Sequence, residues 1–314
     1  MEHFWIVLAV LGAALQAIRT AAQRDLNKHL STLATTYVRS LFGLPLLAVY
    51  LGVVMWATGE GLPHFGWRYL AYTLTGAMMQ VIATALLIRM FTLRSFGVGT
   101  MLTKVDIVIT AILGALLFSE TLSAGGVAAL VVVRAGVVLM SLERTGKAGW
   151  APQIQAAGGL AAWMRSILAD KAIAVALGCA FTFSISFLTY REAALVIGAG
   201  SFQWRGAWTV LLAILMQTVI VGAWLAWREP GLAKRLRPHM RLSVFIGATS
   251  AVGSICWFTA FALQNASYVR AVGQIEVVFT LLVSAIYYRE RISALEYAGI
   301  ALTVAGVLLF RLVA

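Results

Sequence analysis

Asp106 and Glu276 each stand inside a long apolar run, where a helix facing lipid would carry no acid. Charged side chains within membrane segments are costly and normally face a protein interior or a water-filled cavity, which makes both functional candidates. Thr100 and Lys104 precede Asp106, and Arg270 and Gln274 precede Glu276. Read as continuous helix, Thr103, Asp106 and Thr110 share one face, as do Gly273, Glu276 and Thr280. Two chemistries fit these acids. They couple protons or gate a cavity, or they form ion pairs with Lys104, Arg270 or another arginine and lock two halves together. The sharper expectation is that Glu276 faces Asp106, with Arg270 and Lys104 close by.

The cations outnumber the acids. Arg19, Arg39, Arg89, Lys104, Arg205 and Arg270 lie within apolar runs or at their ends, with Arg134 apart from them. Arginine holds carboxylate and phosphate through paired hydrogen bonds, so this excess points to an anion as ligand. The candidate binding residues are Arg39, Lys104, Arg205, Arg270, Gln274, Gln16, Arg19, Gln80 and Trp204, with Asp106 and Glu276 as the coupling or gating pair. For Arg19, Arg39, Arg89 and Arg205 a competing reading is that they snorkel from span ends to headgroups. Trp204 and Trp208 flank Arg205 and fit equally well as interfacial aromatics.

The elements that must position these residues come in two copies. An offset of 170 residues lays Asp106 on Glu276, Lys104 on Gln274, Thr110 on Thr280 and Gly136 on Gly306. It also lays Ser119-Glu120-Thr121-Leu122-Ser123 on Arg289-Glu290-Arg291-Ile292-Ser293, Gln80 on Ser250 and Thr84 on Ser254. At an offset of 166, Arg39 falls on Arg205 and Gly12 on Gly178. The 314 residues are 61% hydrophobic and 11% charged, against about 25% charged in ordinary soluble domains. Mean hydropathy is +0.89. Ten runs, at about 4–23, 33–57, 69–90, 97–118, 124–141, 171–190, 203–227, 242–262, 268–287 and 293–312, approach the roughly 20 residues a spanning helix needs.

The expected fold is an all-α polytopic membrane protein of ten transmembrane helices, arranged as two inverted five-helix repeats. A membrane β-barrel is excluded, because its strands alternate whereas these runs are continuously apolar. The halves are residues 1–141 and 171–314. Between them lies a linker, 142–170, whose part 155–168 reads as an interfacial amphipathic helix or a simple tether. Five crossings per half is odd, so homologous halves insert in opposite orientations, and a site is expected where they meet. The first residues lack a basic leader and cleavage site and read as a retained first helix. Gly125, Ala129, Gly136, Ala298, Ala301, Ala305 and Gly306 read as a small-residue packing surface between spans 5 and 10.

Most of the formal net charge of +12 is topological. The connections after odd-numbered spans carry Arg24, Lys28, Arg94, Arg144, Lys147, Arg165, Lys171, Arg228, Lys234, Arg235, Arg237, Arg241, Arg289 and Arg291. The other side carries Arg68, Arg191 and Arg311. By the positive-inside rule both termini lie outside. Nucleic-acid binding lacks a soluble basic face, and no nucleophile, metal or phosphate-loop pattern supports an enzyme. No cofactor is implied. Cys179 and Cys256 read as small buried hydrophobes.

With the repeat in hand, the pattern resembles the drug/metabolite transporter superfamily, in particular its ten-helix EamA-like members. The residues that carry the resemblance are FSETLSAGGVAALVVVRAGVVLM and YRERISALEYAGIALTVAGVLLF, one ending each half, together with Arg39 and Arg205. The resemblance implies a central cavity lined by spans 1–4 and 6–9, braced by spans 5 and 10, in a secondary transporter of small metabolites. It also implies both termini in the cytoplasm, against the loop-charge reading. Gln16, Arg19 and Gln23 along the first span, and Arg134 in a bracing span, depart from the family pattern.

The expectation is therefore a multi-pass protein of a bacterial inner membrane, monomeric or homodimeric, moving a small anionic or zwitterionic metabolite by alternating access. An organic acid, an amino acid or a phosphorylated compound would fit, with proton coupling through Asp106 and Glu276. The alternatives are a translocator of a lipid or lipid-linked phosphate headgroup, using Arg19, Arg89 and Arg134, and a non-transporting membrane scaffold or receptor. Membrane lipids and the small-molecule substrate are the expected partners.

Overall fold

The structure is a computed structural model that describes residues 3–93, 103–120, 123–144, 171–198, 200–289 and 292–313, and these contain helices and turns but no strand. The helices are α1 (Phe4–Leu26), α2 (Thr32–Thr58), α3 (Trp67–Leu93), α4 (Asp106–Phe118), α5 (Ala124–Arg144) and α6 (Lys171–Val196). They continue with α7 (Phe202–Arg228), a short α8 (Leu232–Leu236), α9 (Met240–Leu263), α10 (Ala266–Gly273), α11 (Glu276–Ile286) and α12 (Ala294–Val313). Seven segments are long and apolar enough to cross a membrane, with α10 and α11 forming one of them as a broken pair. Helices α4, α5 and α12 complete the ten crossings.

The helix ends follow from local chemistry. Ser31 and Ser201, in extended backbone, cap α2 and α7 by accepting from the amides of Ala34 and Trp204, which satisfies donors that a helix start leaves open. Ser293 and Glu296 form a reciprocal capping box on α12. Helix α4 stops at Ser119, φ 54°, and the equivalent Arg289 after α11 has φ 55°. Two non-glycine residues in the left-handed region at matched positions fix the hinge of the repeat in backbone geometry.

Exchanging the halves maps the packing onto itself. Helix α3 packs on α6 as α9 packs on α1, α7 lies on α3 as α2 lies on α9, and α4 contacts α6 as α11 contacts α1. The pairs α2–α7 and α5–α12 are their own images. The cap of α2 meets the far end of α7, and the cap of α7 meets the loop after α2. The two helices therefore run antiparallel, as the inverted plan demands.

Helices α5 and α12 join along a glycine seam. An added Cβ at Gly299 would stand 2.5 Å from Met140 Cγ, and one at Gly306 2.6 Å from Val133 Cγ2. Gly136 faces Thr303 and the Gly299 carbonyl. Ala298, Ala301 and Ala305, expected on this seam, are exposed instead. The contact face follows 299, 303, 306 and 310, the i, i+4, i+7 stripe of an α-helix, and the three alanines fall beside it.

Two further expectations change. The ninth span is interrupted at residues 274–275, where amide bonds tighten to the i−3 pattern, and in the fourth span Thr103–Val105 forms a 3-10 turn just before α4. The shared-face reading therefore stops at the break: Thr103 and Gly273 lie on the other side of it from Asp106 and Glu276. The start of the expected fourth span, the linker from 145 to 170, Glu290 and Arg291 lie outside the described residues.

Candidate functional site

Each break places an acid at the first residue of a helix, Asp106 on α4 and Glu276 on α11, where the helix dipole favours negative charge. The bases cross over. Arg270 Nη2 donates to Asp106 Oδ2 at 2.5 Å, and Lys104 Nζ to Glu276 Oε2 at 2.5 Å. All four side chains are buried. Gln274 Nε2 donates to Asp106 at 3.2 Å, and Gln16 Nε2 to Glu276 at 2.9 Å. The expected cluster is thus present, as two ion pairs, each joining an acid of one half to a base of the other.

Arg134, the unexpected cation of a bracing helix, donates to the Lys104 carbonyl at 2.7 Å. That carbonyl belongs to the 3-10 turn, so Arg134 compensates backbone that the break exposes. The hinge glutamate Glu120 accepts from the Ala266 and Ser267 amides at 2.9 and 3.3 Å and from the Ser267 hydroxyl at 2.9 Å. It also pairs with Arg191 Nε at 3.1 Å. Arg191, expected in a loop, is inside α6 and donates to the carbonyls of Phe261 and Gln264.

Between the halves lies a narrow internal cavity of about 10 Å³, roughly the room of one water molecule. Its polar wall is Gln16, Arg19, Arg39 and Gln80, from α1, α2 and α3, with Ser254 from α9. Arg39 is 1% exposed. Its Nη2 donates to Gln80 Oε1 at 3.2 Å and to Gln217 Oε1 at 2.7 Å, while Tyr190 Oη donates to Gln80 Oε1 at 3.0 Å. These partners orient the guanidinium and leave its charge uncompensated. Arg19 is 6% exposed and has no ion-pair or hydrogen-bond partner among the described residues. The Nε atoms of both arginines and Trp257 Nε1 are buried without a partner.

Of the sequence candidates, Gln16, Arg19, Arg39 and Gln80 line the cavity, and Arg270 stacks on two of its aromatic residues, Phe187 at 4.2 Å and Trp257 at 5.1 Å. Lys104 and Gln274 bind the acids instead. Arg205 and Trp204 sit at the start of α7, away from it, and Trp204 Nε1 donates to the Gly61 carbonyl at 2.9 Å. Arg89 is exposed near the end of α3. Tyr190 and Trp257 stood out in the sequence as possible wall aromatics, whereas Gln217 and the four phenylalanines of the wall were missed. Gln217 is a lone amide in an otherwise apolar stretch of the seventh span, a signal that was there to read.

Both ends of the α2–α7 pair are tied. At one end the Ser31 hydroxyl donates to Glu229 Oε1 at 2.5 Å, and Arg235 pairs with the same carboxylate at 2.6 Å. At the other, the Ser201 amide and hydroxyl both donate to Glu60 at 2.6 Å. The Ser201 hydroxyl bond holds the Glu60 carboxyl below the usual glutamate range. Ser31 and Ser201 are 170 residues apart, the offset of the repeat.

The family model described as the EamA-like transporter family matches residues 3–142 and again 170–312. Solute carrier family 35 member E4 of Rattus norvegicus is 36% identical over 81 residues, 26% of this chain and 22% of that relative, so the chain spans under a quarter of its length. A solved structure described only as the crystal structure of a protein is similar with a TM-score of 0.67, over 100% of this chain and 97% of that one. At 14% identity this is a likeness of fold alone.

Proposed function

The chain belongs to the EamA-like transporter family, and from that premise we propose that this multi-pass membrane protein carries a small organic anion by alternating access. One observation carries the reading. The two acids are neutralised by Arg270 and Lys104, while Arg19 and Arg39 line the cavity with no acid among its wall. Glu276, the acid that acts on Arg19, is already paired with Lys104; a buried cation short of counter-charge is costly, and an anion between these two arginines supplies it.

Asp106 and Glu276 then act as gating residues rather than as proton carriers, because each already holds a cation from the opposite half. The ties Ser31–Glu229 and Ser201–Glu60 are the gates at the two faces, released one at a time as the α2–α7 pair opens. By the positive-inside rule the Ser31–Glu229 face, beside Arg235, Arg237 and Arg241, is cytoplasmic. The headgroup-translocator reading has less support, since Arg89 is exposed and Arg134 is engaged with the Lys104 carbonyl.

The test is thermal stabilisation of the purified protein by carboxylates and phosphate, followed by flux in liposomes. Anions are expected to raise Tm in the wild type, with the effect lost in Arg39→Gln, and flux is expected to follow the anion gradient without an imposed pH gradient. Stabilisation by amines or neutral sugars but by no anion would overturn the reading.

A further inference from the structure

The cavity is asymmetric in a way that its repeat is not. The first half supplies most of the polar wall, Gln16, Arg19, Arg39 and Gln80, whereas the second half supplies Phe183, Phe187 and Tyr190 from α6 and Trp257, Phe258 and Phe261 from α9, with Ser254 beside them. At the offset of 166, which lays Gly12 on Gly178, the α6 rings correspond to Ala17, Ala21 and Arg24. The duplication did not impose the aromatic wall.

These rings are held in place. Phe183 and Phe187 stack at 5.4 Å with 7° between planes, and Tyr190 packs on Phe258 at 4.4 Å. The Trp257 indole is wedged between glycines: an added Cβ would stand 3.1 Å from it at Gly12 and 2.5 Å at Gly273. Its Nε1 is buried and unpartnered, packed against Gly12. The wall offers aromatic rings on one side, Phe187 and Trp257 already carrying Arg270, and cationic donors on the other. It contains no carboxylate to pair with an ammonium group.

Resting on the anion reading above, we propose that the substrate is an aromatic carboxylate without an amino group, admitted as the α2–α7 pair opens the one-water cavity, its carboxylate at Arg19 and Arg39 and its ring on the aromatic wall of α6 and α9. Ring-on-ring packing adds to apolar burial, so an aryl acid binds more tightly than its saturated counterpart. An aromatic amino acid brings a buried ammonium that finds no partner.

The test uses the wild-type full chain in nanodiscs. Thermal shift and tryptophan quenching are measured with phenylacetate, indole-3-acetate, cyclohexylacetate, phenylalanine, acetate and phosphate, with liposome flux of labelled phenylacetate beside them. Phenylacetate and indole-3-acetate are expected to bind roughly two- to tenfold more tightly than cyclohexylacetate, and phenylalanine more weakly than either. In Phe187→Leu the aryl preference narrows. Equal binding of cyclohexylacetate, or preference for acetate or phosphate, overturns the aromatic assignment and leaves the anion reading standing. Tighter binding of phenylalanine overturns the exclusion of an amino group. No response to any of these anions overturns both.

Discussion

The crossed ion pairs allow a quantitative test on Asp106 and Arg270. Their charged atoms are 2.5 Å apart, with side chains 3% and 2% exposed. Asp106→Asn leaves the guanidinium of Arg270 buried without a counter-ion, which typically costs about 3–5 kcal/mol. Arg270→Met strands the carboxylate with only the Gln274 amide as a side-chain donor, at a similar cost of about 3–5 kcal/mol. The double variant removes both charges at once. It should cost less than the sum of the singles by about 2–3 kcal/mol, the upper range of measured couplings. With roughly 2–4 °C of Tm per kcal/mol for a chain of this class, each single variant should lose about 6–20 °C and the double should regain part of that loss. The assay is thermal unfolding of the four proteins in one detergent, followed by intrinsic fluorescence. Strict additivity would falsify the pairing, because two independent sites add and two partners do not.

Glu60 sets the acid limit of one gate. Its carboxyl is depressed by the Ser201 bonds, so the tie contributes fully above the ordinary glutamate pKa of about 4.3 and is lost as pH falls through the lower bound-state value. Spin labels at Leu62 and Leu195 should keep one distance from neutral pH down to about pH 5 and separate only in stronger acid; separation already near pH 6 would contradict the tie. Gly273→Ala, whose Cβ meets Trp257, should cost about 1–3 kcal/mol in denaturant unfolding through overpacking. Gly52→Ala, with nothing within 4 Å, is the matched control and should lose no stability; equal losses would show that the indole slot is not tight.

The architecture was legible because membrane helices announce themselves twice over, by apolar length and here by repetition. Asp106, Glu276, Gln16, Arg19, Arg39 and Gln80 stood out because a polar side chain in an apolar run has to face protein. What periodicity could not supply was the break before Glu276. Gly273 is its sole sequence mark, and a one-residue shift from α to 3-10 bonding reverses which side chains share a face. Arg205 resembled Arg39 by offset, yet it stands at the fourth residue of α7 and Arg39 at the eighth of α2. A helical turn of difference takes it out of the cavity. The phenylalanines of the aromatic wall were invisible for the opposite reason, since in membrane spans they carry no signal until their neighbours are known.

The seam between α5 and α12 has a mechanical meaning. Their backbones meet at Gly136, Gly299 and Gly306, and each glycine is keyed to a different partner: Thr303, Met140 and Val133. Sliding one helix along the other by a single residue, about 1.5 Å, would drive these side chains into main chain at all three points together. The two helices are thus a single stiff bar with one permitted register, fastened to both halves of the chain. In the alternating-access reading proposed above, the bundle therefore opens by turning about that bar rather than by shearing along it.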